Sequence, residues 1–209
     1  MSAMKTLGTY FPHLLLGMYV VVFIALGIAP YDRQTWIAEN LPIVMLVGVA
    51  AWHFTRQRLS NTAYLLMSVL VCLHTIGGHY TFERVPFGCV TELFGFERNH
   101  FDRVAHFSVG FWAYPIAEIL LKRKLVRSRV LLLLFPVFTI ASVAAGYEII
   151  EWLYAVRAGG DAGAAFLGSQ GDIWDAQKDM LADTLGAIVA VVLFWVIERK
   201  TADLPYGRS

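Results

Sequence analysis

The sequence predicts an all-α polytopic membrane protein, a bundle of about six transmembrane helices. Of the 209 residues, 57% are hydrophobic and only 16% are charged, whereas soluble domains usually contain about 25% charged residues. The mean hydropathy is positive, at +0.57. The apolar residues also lie in continuous runs without alternation, and runs of about 20 such residues are typical of membrane-spanning helices rather than barrel strands.

Each predicted helix depends on one long run with few charged residues. Residues 6–31 include no Asp, Glu, Lys or Arg, and Glu118 is the one charged residue between 104 and 121. The first run is longer than a signal-peptide core and has no clear cleavage motif, so we expect it to be a retained helix. From the length that a bilayer requires, we predict one transmembrane domain over residues 1–209 with helices near 12–30, 36–55, 60–79, 102–121, 129–153 and 178–198.

Basic residues mark alternate connections between these helices. Arg56 and Arg58 follow the second predicted helix, the loop 122–129 is rich in basic residues, and the C-terminal tail begins with Arg199 and Lys200. The other connections are mixed or acidic. Because basic loops stay on the cytoplasmic side, we predict that both termini are cytoplasmic. The net charge of +1 gives no reason to expect a nucleic-acid partner.

Polar residues gather at four predicted helix ends, all on the outer, periplasmic side. His74 and His79 lie at the end of helix three, and the stretch RNHFDRVAHF, residues 98–107, leads into helix four. Glu148 and Glu151 lie near the end of helix five, and GSQGDIWDAQKDMLAD leads into helix six. Four distant parts of the chain therefore place titratable side chains on one side of the membrane.

The spacing within these motifs puts the side chains on common helix faces. Asp102 and His106 are four residues apart, and Glu148 and Glu151 are three apart, so each pair shares one face. If helical throughout, the last motif forms a carboxylate stripe: Asp172, Asp175, Asp179 and Asp183. A charged group costs about 2.5–3.5 kcal/mol at the centre of a membrane helix. We therefore expect one shared cavity for Asp102, His106, Glu148, Glu151, Asp172 and Asp175.

Simpler explanations exist for several of these residues. Asp102 and Asp175 can be capping residues, because acids favour the N-terminal end of a helix. His74 can be a structural hydrogen-bonding residue, and GSQG can be a simple turn or a close approach of the backbone to a ligand. Glu148 and Glu151 fit the helix dipole poorly, because they lie near a helix C-terminus. They are the strongest functional signal.

Histidines mixed with carboxylates indicate a divalent metal, with zinc, iron or manganese as the candidates. The candidate ligands are His74, His79, Asp102, His106, Glu148, Glu151, Asp172, Asp175 and Asp179. The candidate catalytic residues are Glu148, Glu151, Asp175, Arg98 and Arg103, and the two arginines can bind a phosphate or carboxylate. The carboxylates outnumber the fixed cations Arg98, Arg103 and Lys178, so the excess must take up protons or recruit a cation.

The motifs also resemble a known family. HTIGGHYTFERVPFG, RNHFDRVAHFSVGF, EIIEW and FLGSQGDIWDAQKDMLADTLGA occur in this order and are similar to the YjdF-like family of uncharacterised bacterial inner-membrane proteins. The likeness spans roughly residues 60–190. A looser likeness is to VanZ-like membrane proteins. The resemblance implies a multi-span inner-membrane protein with these polar motifs as its functional core, and it implies no particular reaction.

Three functions remain open from the sequence. The first is a metal-dependent hydrolase or transferase that acts on a lipid or a lipid-linked, phosphorylated substrate. The second is a proton- or ion-coupled transporter, although the titratable residues cluster at one face and carriers usually bind near the middle of the membrane. The third is a non-enzymatic accessory protein, in which Arg98, Arg103 and Lys178 neutralise the acids. In each case membrane lipids are the expected surroundings.

Overall fold

The computed structural model of the chain describes residues 2–160, 167 and 169–198. Within these residues there is no β-strand, and six helical spans are long and apolar enough to cross a membrane. The predicted all-α, six-span fold class is confirmed. The basic start of the C-terminal tail, Arg199 and Lys200, lies outside the described residues.

The helices follow the predicted runs with shifted ends. In chain order they are α1 (Ser2–Leu26), α2 (Arg33–Arg56), α3 (Asn61–Tyr80), the short α4 (Gly88–Phe94), α5 (Phe101–Val109), α6 (Ala113–Lys122), α7 (Arg129–Ala158) and α8 (Asp175–Glu198). A 3₁₀ turn, Phe82–Arg84, lies between α3 and α4. The first span ends before residue 30, where the sequence predicts its end. Ala29 precedes Pro30, and the helical conformation is disfavoured for a residue that precedes a proline.

The fourth span consists of α5 and α6, joined by the 3₁₀ turn Gly110–Trp112. Pro115 lies in the first turn of α6. A proline has no N–H to donate and its ring crowds the carbonyl four residues earlier, here that of Phe111. The tighter 3₁₀ geometry at this point has that physical cause.

The helices pack as two groups that meet through α3 and α5. The first group is α1 and α2 against α3, and the second is α5, α6 and α7 against α8. Gly110 and Gly186 lie where the fourth span crosses α8. A Cβ on Gly186 would lie 1.9 Å from the Phe107 carbonyl oxygen, and one on Gly110 would lie 2.2 Å from the Ala187 nitrogen. Only glycine at both positions permits this backbone contact.

The fourth span also holds a buried acid, Glu118, at the end of the bundle that carries Arg56 and Lys122, here called the basic end. Its carboxylate accepts hydrogen bonds from the Ser60 backbone N–H and hydroxyl, both at 2.7 Å, and pairs with the Lys122 Nζ at 2.6 Å. Glu118 therefore holds the start of α3 against α6. Its partners explain why one acid is tolerated inside this apolar span.

Candidate functional site

His106 lies at the centre of a group of carboxylates at the opposite end of the bundle, here called the cluster end. Its Nδ1 lies 3.2 Å from the Asp183 Oδ2. Its Nε2 faces the Asp102 Oδ1 at 3.6 Å and the Asp179 Oδ1 at 3.7 Å. One ligand atom from each of Asp102, His106 and Asp179 lies within 4.8 Å of the others. The contact of α5 with α8 thus brings two predicted motifs into one constellation.

Asp102, His106 and Asp179 line a small polar cavity of about 30 Å³. A buried site needs about 10–15 Å³ to hold a water molecule, so this cavity has room for a water or a single ion. Its titratable lining comes from six elements of the fold: Glu39 of α2, His74 of α3, Glu83 of the 3₁₀ turn, Asp102 and His106 of α5, Tyr147 and Glu151 of α7, and Asp179 of α8. The cavity is therefore closed by helices from both packing groups.

Glu39 belongs to this site, although no sequence-based prediction includes it. The residue is 3% exposed; its Oε2 accepts a hydrogen bond from the Tyr147 hydroxyl at 3.1 Å and lies 3.1 Å from the His74 Nε2. Gly78 of α3 allows α2 to approach α3 closely, since a Cβ at this position would lie 3.2 Å from the Glu39 Cβ and 2.8 Å from the Asn40 Nδ2. The sequence contains one sign of this role, because Glu39 is an acid inside the second predicted helix.

Arg98 and Arg103 bind the aspartates of α8. Arg103 donates to both Asp175 and Asp179. Arg98 donates from Nη1 to the Asp175 Oδ1 at 2.7 Å and to the Ser169 carbonyl at 3.1 Å. Its Nε and Nη2 are buried and have no acceptor within the part of the chain that the structure describes. The arginines thus fix the start of α8, and two guanidinium nitrogens of Arg98 stay without an acceptor among the described residues.

Two groups at the rim of the cluster have shifted pKa values. The Lys178 Nζ donates to the Asp172 Oδ2 at 2.6 Å, and this hydrogen bond, with one from the Trp174 backbone, lowers the pKa of the Asp172 carboxyl. Burial lowers the pKa of the His100 imidazole, and the charge of the nearby Arg98 lowers it further. Asp172 is therefore ionised and His100 neutral near pH 7.

Glu148 and Glu151, both half-buried on α7, face the same region. Glu151 lines the cavity, and Glu148 interacts electrostatically with His106, Asp179 and Asp183. Among the described residues, neither glutamate has an Arg or Lys within ion-pair distance. Three further carboxylates near His106 also have no Arg or Lys within ion-pair distance among the described residues. The carboxylates without such a partner are therefore Glu39, Asp102, Asp183, Glu148 and Glu151.

Comparison with known proteins gives the chain a family. The model of a family described as "Predicted membrane protein (DUF2238)" matches residues 11–200. The chain belongs to this family. It is 34% identical over 174 residues to the inner membrane protein YjdF of Escherichia coli strain K12, covering 82% of this chain and 83% of that protein. No solved structure matches. The DUF2238 chain is thus an integral inner-membrane protein, and the resemblance to the YjdF-like family is confirmed.

Ser169, Gln170 and Gly171, the described part of the stretch GSQG, form a turn against the start of α5. The Asn99 backbone N–H donates to the Gln170 Oε1, and the Gln170 Nε2 donates back to the Asn99 carbonyl, both at 3.0 Å. Gln170 and Gly171 have positive φ values, 48° and 83°. The turn expected from the sequence is present in these residues, and a close approach of their backbone to a ligand stays a prediction. The turn positions the segment that precedes Asp102.

The structure brings most of the predicted site residues together, but not all of them. His74, Asp102, His106, Glu151 and Asp179 line the cavity, and Glu148 lies beside it. Asp172 and Asp175 lie in the adjoining ion-pair network. Asp102 and Asp175 occupy the first turns of α5 and α8, where the helix dipole favours an acid. Asp102 is not the capping residue of α5, because the N-cap of that helix is His100. His79 lies apart from the cavity: its Nδ1 is 2.7 Å from the Leu26 carbonyl oxygen, which suits a structural role.

Proposed function

We propose that this DUF2238 protein is a metal-dependent hydrolase or transferase that acts on a lipid or lipid-linked substrate. The observation that carries the proposal is the arrangement of Asp102, Asp179 and Asp183 around the two nitrogens of His106. We also propose that the cluster end faces the periplasm and that both termini are cytoplasmic, because the basic loops that include Arg56, Arg58 and Lys122 lie at the other end.

The distances around His106 suit a metal better than direct hydrogen bonds. Ligand atoms about 2.1 Å from a tetrahedral metal are about 3.4 Å apart. The His106 Nε2 lies 3.6 and 3.7 Å from the carboxylate oxygens of Asp102 and Asp179, close to that spacing and beyond the usual length of a hydrogen bond. Asp183 holds the other ring nitrogen, as carboxylates do behind metal-binding histidines.

The local charge supports the same assignment. Glu39, Asp102, Asp183, Glu148 and Glu151 have no Arg or Lys partner in the described part of the chain. The Asp183 Oδ1 is buried without a hydrogen-bond partner among the same residues. Such a group of carboxylates is stable if it shares protons or binds a cation. Histidine with two carboxylates suits zinc, iron or manganese.

The surrounding residues have roles that follow from their places. A divalent metal bound here would polarise a phosphoryl or acyl group and make water a better nucleophile. Glu151 faces the cavity without an ion-pair partner, so it is placed to take a proton from water. Arg98 has two guanidinium nitrogens, Nε and Nη2, without an acceptor among the described residues, and these suit a phosphate or carboxylate of the substrate. Glu148 adds negative charge near His106.

The alternatives are weaker on the same observations. An accessory role predicts that Arg98, Arg103 and Lys178 neutralise the acids, and several carboxylates lie beyond their reach. A proton- or ion-coupled transporter is favoured by those same carboxylates. It also needs a path across the membrane, yet Glu118 at the basic end is held by Ser60 and Lys122. We therefore place the transporter second.

Elemental analysis of the full-length protein, purified without chelator, tests the proposal. We expect a stoichiometric divalent metal, and we expect less of it in Asp102→Asn, Asp179→Asn and Glu151→Gln. Asp32→Asn is the matched control, because Asp32 caps α2 at the same end through the Thr35 N–H, 2.7 Å away. Protein that contains no stoichiometric metal and gains no stability on metal addition would leave protonation or ion pairing as the better account.

A further inference from the structure

A second cavity, apolar and about 300 Å³ in volume, lies between α2 and α7. Its size is at the lower end of the about 300–1,000 Å³ typical of small-molecule sites. Residues with hydrocarbon side chains form most of its wall: Ile43, Leu46, Val49, Leu70, Val143 and Ala144. Water gains little in such a space, whereas a hydrocarbon chain is favoured there.

This apolar cavity adjoins the polar site. His74, Phe82, His106 and Tyr147 line both cavities, and Asp183 faces the apolar one. The hydrogen bond from the Tyr147 hydroxyl to Glu39 joins α7 to α2 where the two cavities meet. An apolar chain in the larger cavity would therefore lie next to the polar cavity, which itself has room for a water or a single ion.

The apolar cavity is bordered by side chains that face the hydrocarbon of the bilayer. Met45 and Val49 are both 59% exposed and Val143 is 56% exposed, so its mouth lies on the membrane-facing surface between α2 and α7. From Pro42 to Val49 the cavity follows α2 for about 10 Å. This length is within the depth of one leaflet, because the hydrocarbon core of both leaflets together is about 30 Å thick.

We propose that this cavity holds one hydrocarbon chain of a membrane lipid from the leaflet at the cluster end, with the lipid head at that end of the bundle and outside the small polar cavity. That the bound lipid is the substrate rests on the proposed function, whereas the binding of the chain does not. A similar apolar groove between α1, α2 and α3, lined by Leu15, Val47 and Met67, adjoins no such polar site within the described residues and is not part of the proposal.

Photolabelling of the full-length protein tests the proposal. The protein is reconstituted into vesicles of phosphatidylethanolamine and phosphatidylglycerol in which one acyl chain has a diazirine, illuminated, and mapped by mass spectrometry. We expect label on Leu70 and Ala105, which are 3% and 2% exposed, because a chain inside the cavity reaches them and bulk lipid does not. Label confined to outward-facing residues such as Val44 would overturn the proposal.

Variants that fill the cavity provide the control for position. Ala144→Phe places a ring in the cavity, and we expect label on Leu70 to fall about tenfold, which corresponds to about 1.4 kcal/mol of lost binding. Ser142→Phe, on the exposed surface of α7, should leave it unchanged. If Ala144→Phe does not fold, Val49→Trp at the mouth replaces it, with Val44→Trp as its control. Equal label in a filled variant and its control would also overturn the proposal.

Metal analysis of the same samples separates the two proposals. Label on Leu70 in protein without metal supports the lipid cavity and contradicts the metal-dependent function. Bound metal in protein without label on Leu70 contradicts the lipid cavity and leaves the metal site in place.

Discussion

Gly110 and Gly186 face each other where the fourth span crosses α8, and their contact sets the geometry of the site. The Gly110 Cα lies 3.3 Å from the position that a Cβ on Gly186 would take. His106 precedes Gly110 by four residues and Asp183 precedes Gly186 by three, so each lies about one helical turn from the crossing. The closeness of the two backbones is therefore what places the His106 ring against the Asp183 carboxylate.

Gly186→Ala is expected to destabilise the protein, because the new methyl group would overlap the Phe107 carbonyl oxygen. Overpacking of this kind costs about 1–3 kcal/mol, and we expect bound metal to fall as α5 moves away from α8. Thermal unfolding in detergent, followed by circular dichroism, measures the stability. Gly146→Ala is the control, since a Cβ there meets no atom within 4 Å. Equal unfolding temperatures for the two variants would contradict the role of this contact.

Asp183→Asn is expected to weaken metal binding without unfolding the chain. Asn keeps the size of the side chain but loses the negative charge that orients the His106 ring through Nδ1. Replacing such a partner typically lowers metal affinity about 10–100-fold. Titration against a competing chelator measures the affinity, with Asp32→Asn as the control at the same end of the bundle. An affinity equal to that of the wild type would show that Asp183 does not orient a metal ligand.

A reporter fused after Ser209 is expected to be active only if it works in the cytoplasm. The described residues include six candidate spans, and an even number of crossings returns the chain to the side where it began. The basic residues Arg56, Arg58 and Lys122 lie at the end of the bundle opposite the cluster. Paired cytoplasmic and periplasmic reporters give the measurement, and activity of the periplasmic one alone would reverse the proposed orientation.

The sequence alone was sufficient for the fold class and for the approximate position of every span. Hydrophobic runs are read by length and composition, and both are local properties of the chain. Helical periodicity, also local, correctly placed Asp102 and His106 on one face of α5. The polar clusters at distant helix ends predicted that α3, α5, α7 and α8 meet at one end of the bundle, because unpaired charges at that depth are costly.

The tertiary structure decided which faces of the helices meet. It brought Glu39 to His74 and Tyr147, and it placed Asp183 behind His106. It also left His79 with the Leu26 carbonyl, and it directed the arginines toward aspartates of α8. None of these pairings follows from spacing along one helix, because the rotation of one helix against another depends on how closely their backbones approach. At Gly78, Gly110 and Gly186 the helices approach closely because these residues have no side chain. The effect of a missing side chain is visible only when the position of the partner helix is known.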